Sequence, residues 1–247
     1  MNTIIINGKD YEFCRSALCS YKDKFNRMVK LASMFDYLSD KFDGMIERGN
    51  YNSLTARLAL ACKLMMYTGI RIGNEDSAEG YITKPHPNSK ETPRFVQTYG
   101  LTTMLRKHVS VEGRKVRFFF LGKRHVDNTF TITGTLAKQM KTYMKYYEGE
   151  TLMDITAYQL TKFIKKSVGC KFTPKDFRTL RANMVAYDAI NDICDREYPN
   201  TKKEFNAEIK EVATIVSENL NNTPGVCKNN YIDPLLWEAF RTMRLPQ

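Results

Sequence analysis

Apolar side chains at Met28, Leu31, Phe35, Leu38, Phe42 and Met45 recur at alternating steps of three and four residues. That is the period of one buried helical stripe, and it predicts a single amphipathic helix ending near Gly49. A second helix is predicted to open after Asn52 or Ser53. Its run from Leu58 to Met66 is apolar almost all round, which marks a central core helix, and Gly69 is placed to stop it. Ahead of both, Thr3–Ile6 followed by Asn7-Gly8 reads as a strand and tight turn, pairing with a segment around Tyr11–Phe13.

Between Tyr81 and Thr133 the helical period disappears. Pro85, Pro87 and Pro93 break the chain, and four β-favouring stretches follow at Phe95–Tyr99, His108–Val111, Val116–Leu121 and Thr129–Thr133. With Glu112-Gly113 and Gly122-Lys123 as turns, they predict one small antiparallel sheet. Beyond Gly134 the pattern is helical again. Leu136, Met140, Tyr143, Met144 and Tyr147 share one face, and Leu160, Phe163 and Ile164 share another. Thr173-Pro-Lys-Asp has the capping Thr, first-turn Pro and acidic third residue of a helix start. A further helix is expected from about Lys202 to Asn221, with short ones opening at Thr223-Pro224 and Asp233-Pro234. The fold class is therefore α+β and mainly helical, with a small antiparallel sheet inserted between helices. Residues 1–20 are expected to form a short hairpin extension and residues 21–247 the main domain.

At 247 residues, 43% hydrophobic and 26% charged, the chain can bury a sizeable core. No apolar run reaches the roughly 18–20 residues of a membrane span, and the first residues lack a signal-peptide pattern, so a soluble intracellular protein with no membrane partner is expected. The six cysteines form no C-x-x-C pair and the three histidines are scattered, a spacing that suits neither a zinc site nor a disulfide framework. No P-loop, EF-hand loop or H-E-x-x-H is present, so no nucleotide or metal cofactor is expected. The net charge of +11 and pI near 9.3 favour a polyanionic partner. Ten Lys or Arg between Lys84 and Arg124 face only Glu91 and Glu112. A basic block on β-strands can follow a phosphate backbone and gain affinity by counterion release.

Five segments carry the candidate chemistry: Tyr67-Thr-Gly-Ile-Arg71-Ile-Gly-Asn-Glu, Leu121-Gly-Lys123-Arg124, Lys175-Asp-Phe-Arg178, Asn222-Thr-Pro-Gly-Val-Cys and Lys228-Asn-Asn-Tyr231-Ile-Asp-Pro. Taken singly, each has an ordinary structural explanation: a helix-end charge, a hairpin-tip lysine, a helix-face arginine, a cap, a packed tyrosine. In this order and spacing they resemble the active site of type IB DNA topoisomerases, particularly the short poxvirus and bacterial kind. The resemblance covers about Tyr67 to Pro234, more loosely from about Tyr21. It implies the DNA breaking-rejoining catalytic fold and relaxation of supercoiled double-stranded DNA by a monomer, through a 3′-phosphotyrosine intermediate without ATP or metal. The setting would be cytoplasm, nucleoid or virion.

By that resemblance Tyr231 is the nucleophile, Arg71 and Arg178 the catalytic arginines, Lys123 the hairpin general acid, Lys175 an accessory basic residue and Asn222 the position that holds His or Asn. Arg181, one turn beyond Arg178, is the alternative phosphate ligand. Arg124, Asn183, Arg106 and Lys107 are expected to touch DNA. The residue types suit the chemistry. A phenol with an ordinary pKa near 10 needs a favourable field to attack a phosphodiester. Guanidinium forks meet the charge developing on its non-bridging oxygens, an ammonium can protonate the departing 5′-oxygen, and an Asn amide can donate to a phosphoryl oxygen. Two features depart from the family pattern: Asn222 stands where poxvirus and eukaryotic members have His, and only about twenty residues precede the first matched helix, where a β-rich clamp domain is usual. Two other readings share some of these features. A tyrosine recombinase would carry His-x-x-Arg where this chain has Lys175-Asp-Phe-Arg178. A non-catalytic basic DNA-binding protein would have no use for a tyrosine at this spacing.

Overall fold

The computed structural model describes residues 2–15, 23–84 and 92–244. Pro85 and Pro87 among the expected chain breaks, Lys90 and Glu91 of the basic block, and Cys19 lie outside them. The chain divides into two compact units: Met1–Phe42, Lys63–Gly69 and Ile164–Gln247 form one, and Asp43–Cys62 with Ile70–Phe163 the other. Among the described residues no helix is long and apolar enough to cross a membrane.

The first unit opens with the antiparallel hairpin β1 (Asn2–Ile6) and β2 (Lys9–Phe13). Asn7 and Gly8 both have positive φ (51° and 76°), as a two-residue turn that follows the strand twist requires. Tyr11 and Phe13 point inward from β2, and Tyr11 packs on Tyr187 with ring centroids 5.5 Å apart. The hairpin thus rests on α7 (Pro174–Cys194), the longest helix. That helix starts as its sequence dictates: Pro174 sits in the first turn, and the Asp176 carboxylate accepts from the Thr173 amide and hydroxyl, both at 2.8 Å. Arg27 of α1 (Lys24–Ala32) reaches the other oxygen of Asp176 at 3.0 Å. Against α7 lie α8 (Lys202–Leu220) and α10 (Pro234–Arg244), and α9 (Pro224–Asn230) packs on α8. Ala186, Ile190, Val212, Val216, Leu220, Cys227, Ile232 and Phe240 form the centre of the shared core.

The single helix expected from Met28 to Met45 is two, α1 and α2 (Phe35–Arg48). The Ser33 hydroxyl bonds the Lys30 carbonyl at 2.8 Å, a local alternative to the helical ladder, and the chain breaks there. The break shifts the phase: Met28, Leu31, Phe35, Leu38 and Phe42 are buried as expected, but the last buried position is Ile46 and Met45 is only half-buried. The helix α3 (Leu54–Thr68) is buried along most of its length and stops at Gly69.

In the second unit β5 (Val109–Glu112), β6 (Lys115–Gly122) and β7 (Val126–Ile132) make an antiparallel sheet in chain order. Along β6 Val116, Phe118 and Phe120 point into the core and Lys115, Arg117 and Phe119 outward, so one face of the sheet is apolar and buried and the other faces solvent, where Arg117 pairs with Glu112. The expected single sheet is in fact two. Residues Phe95–Val96 (β4) pair with Tyr81–Ile82 (β3), not with the larger sheet. The chain after β4 is held by α4 (Glu75–Glu79), a short helix absent from the sequence reading: Thr98 N–H bonds the Ser77 carbonyl at 2.8 Å and Gln97 the Ala78 carbonyl at 3.0 Å. Its Asn74 cap, accepting from the Ser77 amide at 2.9 Å, was a legible signal. Helix α5 (Gly134–Tyr146) buries Leu136, Met140 and Tyr143, while α6 (Ala157–Ser167) buries Leu160 and Ile164.

Two groups in this unit set measurable stabilities. Tyr143 is fully buried and its hydroxyl donates to the Leu152 carbonyl at 2.7 Å, so Tyr143→Phe, which orphans that carbonyl, is expected to cost about 1–3 kcal/mol in denaturant melts. His108 lies between Tyr99 and Phe120, and its Nδ1 accepts from the Leu105 amide at 3.1 Å. Partial burial, then the neighbouring Lys107 charge, push its pKa below the usual histidine value. The unfolded chain therefore binds the proton more readily. The neutral ring's contribution is present above about pH 6.5 and is lost as pH falls below it. Thermal melts between pH 8 and 5 should show that loss in the wild type and a smaller one in His108→Gln.

Candidate active site

Tyr231 sits where α9 ends, half-buried at the edge of the first unit's core, between the buried side chains of Cys227 and Ile232. Its own amide and that of Ile232 both bond the Cys227 carbonyl, at 3.0 and 3.1 Å. The backbone beyond is tied to α7 by one side chain. Asn183, expected as a DNA contact, is buried: its Nδ2 donates to the Tyr231 carbonyl and to Thr179 O, both at 2.8 Å, while its Oδ1 accepts from Asp233 N–H at 2.8 Å. Asp233 in turn accepts from Arg15 (Nε 2.7 Å, Nη2 3.2 Å) and caps α10 through the Leu235 amide at 3.1 Å.

Arg178 is buried one turn into α7. Its Nη1 donates to the Gly69 carbonyl and its Nη2 to the Leu220 carbonyl, each at 2.7 Å, so one guanidinium joins the ends of α3 and α8, where helix dipoles favour a cation. The carbonyl at Gly69 can be presented only because that residue is glycine: φ is +66°, and a Cβ would stand 2.9 Å from Leu220 Cδ2 and 3.2 Å from Arg181 Cβ. Held this way, the Arg178 guanidinium carbon lies 5.3 Å from the Tyr231 ring centroid, within cation–π range. Arg181 is half-buried with Nε on Asn219 Oδ1 at 3.1 Å, and Lys175 is exposed on the first turn of α7. Asn222 follows the left-handed cap Asn221 and bonds the Ser217 carbonyl through its backbone. Its side-chain nitrogen is buried and has no hydrogen-bond partner among the described residues. Such an orphaned donor is what an incoming phosphoryl oxygen would satisfy.

The remaining candidates belong to the second unit. Arg71 lies in an extended stretch whose backbone is bracketed by a second segment. Its carbonyl accepts from Leu101 N–H at 2.9 Å and that of Ile72 from Thr102 N–H at 2.7 Å. The approach is so close that a Cβ on Gly100 would be 2.5 Å from Gly73. Lys123 and Arg124 are exposed at the tip between β6 and β7, with Arg124 and His125 at positive φ (65° and 59°). The buried Asn128 fills the space a side chain at Gly122 would need, and its amide bonds the Val126 carbonyl at 2.7 Å, which closes the tip. Arg106 is spent on structure, with Nη1 on the Tyr147 carbonyl and Nη2 on that of Met144 at 2.8 Å, while its neighbour Lys107 is exposed.

A mainly helical core that carries an arginine-backed tyrosine after a Pro-capped helix is a combination that can be compared with known proteins. The sequence profile of the family described as eukaryotic DNA topoisomerase I, catalytic core, matches residues 19–234, most of the chain. This chain belongs to that family. The DNA topoisomerase 1B of Acanthamoeba polyphaga mimivirus is 24% identical to it over 227 residues, 85% of this chain and 62% of the relative. The chain thus spans less than two thirds of that relative's length. The resemblance drawn from five short segments therefore extends over residues 19–234, and the mainly helical α+β class agrees with it.

Sequence reasoning missed Arg15, Lys24 and the role of Asp233, because nothing in an isolated Arg or Lys signals a partner some two hundred residues away. The network makes a stability prediction for the topoisomerase core. Asp233 is almost fully buried, so Asp233→Ala, which removes the bidentate partner of Arg15 and leaves α10 uncapped, is expected to cost about 3 kcal/mol in denaturant melts. Arg15→Ala, which leaves the nearly buried Asp233 carboxylate without its cation, is expected to cost a similar amount.

Proposed function

We propose that this chain relaxes supercoiled double-stranded DNA as a type IB topoisomerase, with residues 21–247 working as one monomeric catalytic domain wherever the genome is held. The observation that carries the proposal is the Arg178 guanidinium, fixed on two carbonyls and lying beside the Tyr231 ring. A cation immobilised next to a half-buried phenol is preorganised for the charge that develops when the phenol meets a phosphate.

In the proposed reaction the Tyr231 oxygen attacks a backbone phosphorus, forming the Oη–P bond as the P–O5′ bond breaks. The phenol loses its proton to solvent water, and the departing 5′-oxygen takes one up from Lys123. Arg178 and Arg71 hold the non-bridging oxygens, with Arg181 as the alternative to Arg178. The Asn222 amide adds a neutral donor, fitting its buried, unsatisfied nitrogen. Lys175, Arg124 and Lys107, all exposed, hold neighbouring backbone phosphates. The phosphotyrosine ester keeps the energy of the cut bond, so the free 5′-hydroxyl can reverse the step after the strand has rotated, with no nucleotide consumed. Each preorganised donor to the transition state is worth on the order of a hundredfold in rate.

Relaxation of negatively and positively supercoiled plasmid in excess EDTA without ATP, with detergent trapping of the covalent adduct, tests this. Wild type should relax both and yield the adduct. Tyr231→Phe should yield neither while binding plasmid within about threefold of wild type, and Arg178→Ala should slow relaxation by about a hundredfold or more. Unchanged relaxation by Tyr231→Phe removes that residue from the mechanism, and an absolute Mg²⁺ requirement defeats the type IB reading.

A further inference from the structure

A lysine from the start of the first unit reaches the tyrosine segment. Lys24 is the first residue of α1, and its backbone position is fixed by the Asp23 cap, whose carboxylate accepts from the Phe25 amide at 2.6 Å and the Asn26 amide at 3.4 Å. The side chain runs over the Phe25 ring, Nζ 4.6 Å from its centroid, and Nζ donates to the Asn230 carbonyl at 2.8 Å. Asn230 is the last residue of α9 and is bonded directly to the nitrogen of Tyr231.

The placement has a cost that calls for a reason. Partial burial, followed by repulsion from Lys175, pushes the Lys24 ammonium below its usual pKa, with Asp23, Tyr231 and Asp233 acting the other way. A long, rotamer-rich side chain is thus immobilised beside another cation. What it holds is a helix-terminal carbonyl, one of the groups that the helix cannot satisfy itself. The seven-residue α9 makes too few internal bonds to keep its last turn rigid alone. Asn183 fixes the peptide that follows Tyr231, and Lys24 fixes the one that precedes it. Together they leave the tyrosine little backbone freedom.

We propose that Lys24 is a positioning residue for the nucleophile: by holding the Asn230 carbonyl it sets the Asn230–Tyr231 peptide and so the angle at which the phenol meets the scissile phosphate. The inference rests on Tyr231 being the nucleophile. It assigns Lys24 no contact with DNA. Cleavage and religation pass through the same tyrosine geometry, so a change at Lys24 acts on both.

The test uses the full chain on supercoiled plasmid, following the covalent adduct as it forms in a single turnover and as it reverses. Lys24→Met should slow adduct formation and religation alike, by about tenfold to a hundredfold, the scale of a small misplacement of a reacting group. Plasmid affinity and melting temperature should be nearly unchanged, and Lys24→Arg, which can still reach the carbonyl, should recover both rates to within severalfold. Wild-type rates in Lys24→Met overturn the proposal. So do weaker plasmid binding with a salt slope reduced by about one and normal rates at saturation, which would make Lys24 a phosphate contact. A lowered melting temperature with Lys24→Arg as slow as Lys24→Met reduces it to a structural role. If wild type yields no adduct, or Tyr231→Phe still does, the tyrosine assignment itself falls; an intact adduct with an indifferent Lys24 sinks this inference alone.

Discussion

A guanidinium taken out of water must find partners or destabilise the fold, and in the first unit that requirement organises everything around Tyr231. Arg178 meets it with the carbonyls of Gly69 and Leu220, at the ends of two helices that are otherwise far apart in the chain. The solution demands a glycine at position 69, a helix α8 that stops at Leu220, and a capped α7 that brings residue 178 to the right height. Structure and proposed chemistry then use the same charge: the bonds that stabilise the buried cation also hold it rigid beside the phenol.

The tyrosine is restrained by its backbone more than by its ring. Asn183, Lys24 and Arg15 form a polar scaffold beside residues 230–233, contributed by α7, α1 and the segment ahead of α1, with Asp233 as the group that Arg15 holds. In-line displacement at phosphorus is sensitive to displacements of an ångström or less, so the role proposed for Tyr231, on a short helix end, requires such support. The phenol remains half-exposed while the backbone on either side of it is fixed.

In the second unit the strands separate two tasks. The inward residues of β6 make a core with β7 and α5, while its outward lysine and arginine and the tip at Lys123 and Arg124 stay in solvent. Alternation along a strand gives this division without further design. Arg106 shows that a charge in the basic block need not serve a ligand, since its guanidinium caps the end of α5.

Much of the fold was legible because local rules dominate there. The Asn7-Gly8 turn, the stop at Gly69, the Thr173-Pro174 start and the alternation along Val116–Leu121 depend on residues near in sequence, and the structure contains each. The break at Ser33 and the division of the sheet were missed because a hydroxyl's choice between competing carbonyls, and a strand's choice between edges, are settled by neighbours that periodicity does not register. Order and spacing of the five segments were enough to indicate the family. Which side chains carry the structure behind the tyrosine was not readable in this way. Arg15, Lys24 and Asn183 gain their roles only when folding brings distant backbone groups within hydrogen-bond reach, because a buried carbonyl needs a donor and the nearest one in space need not be near in the chain.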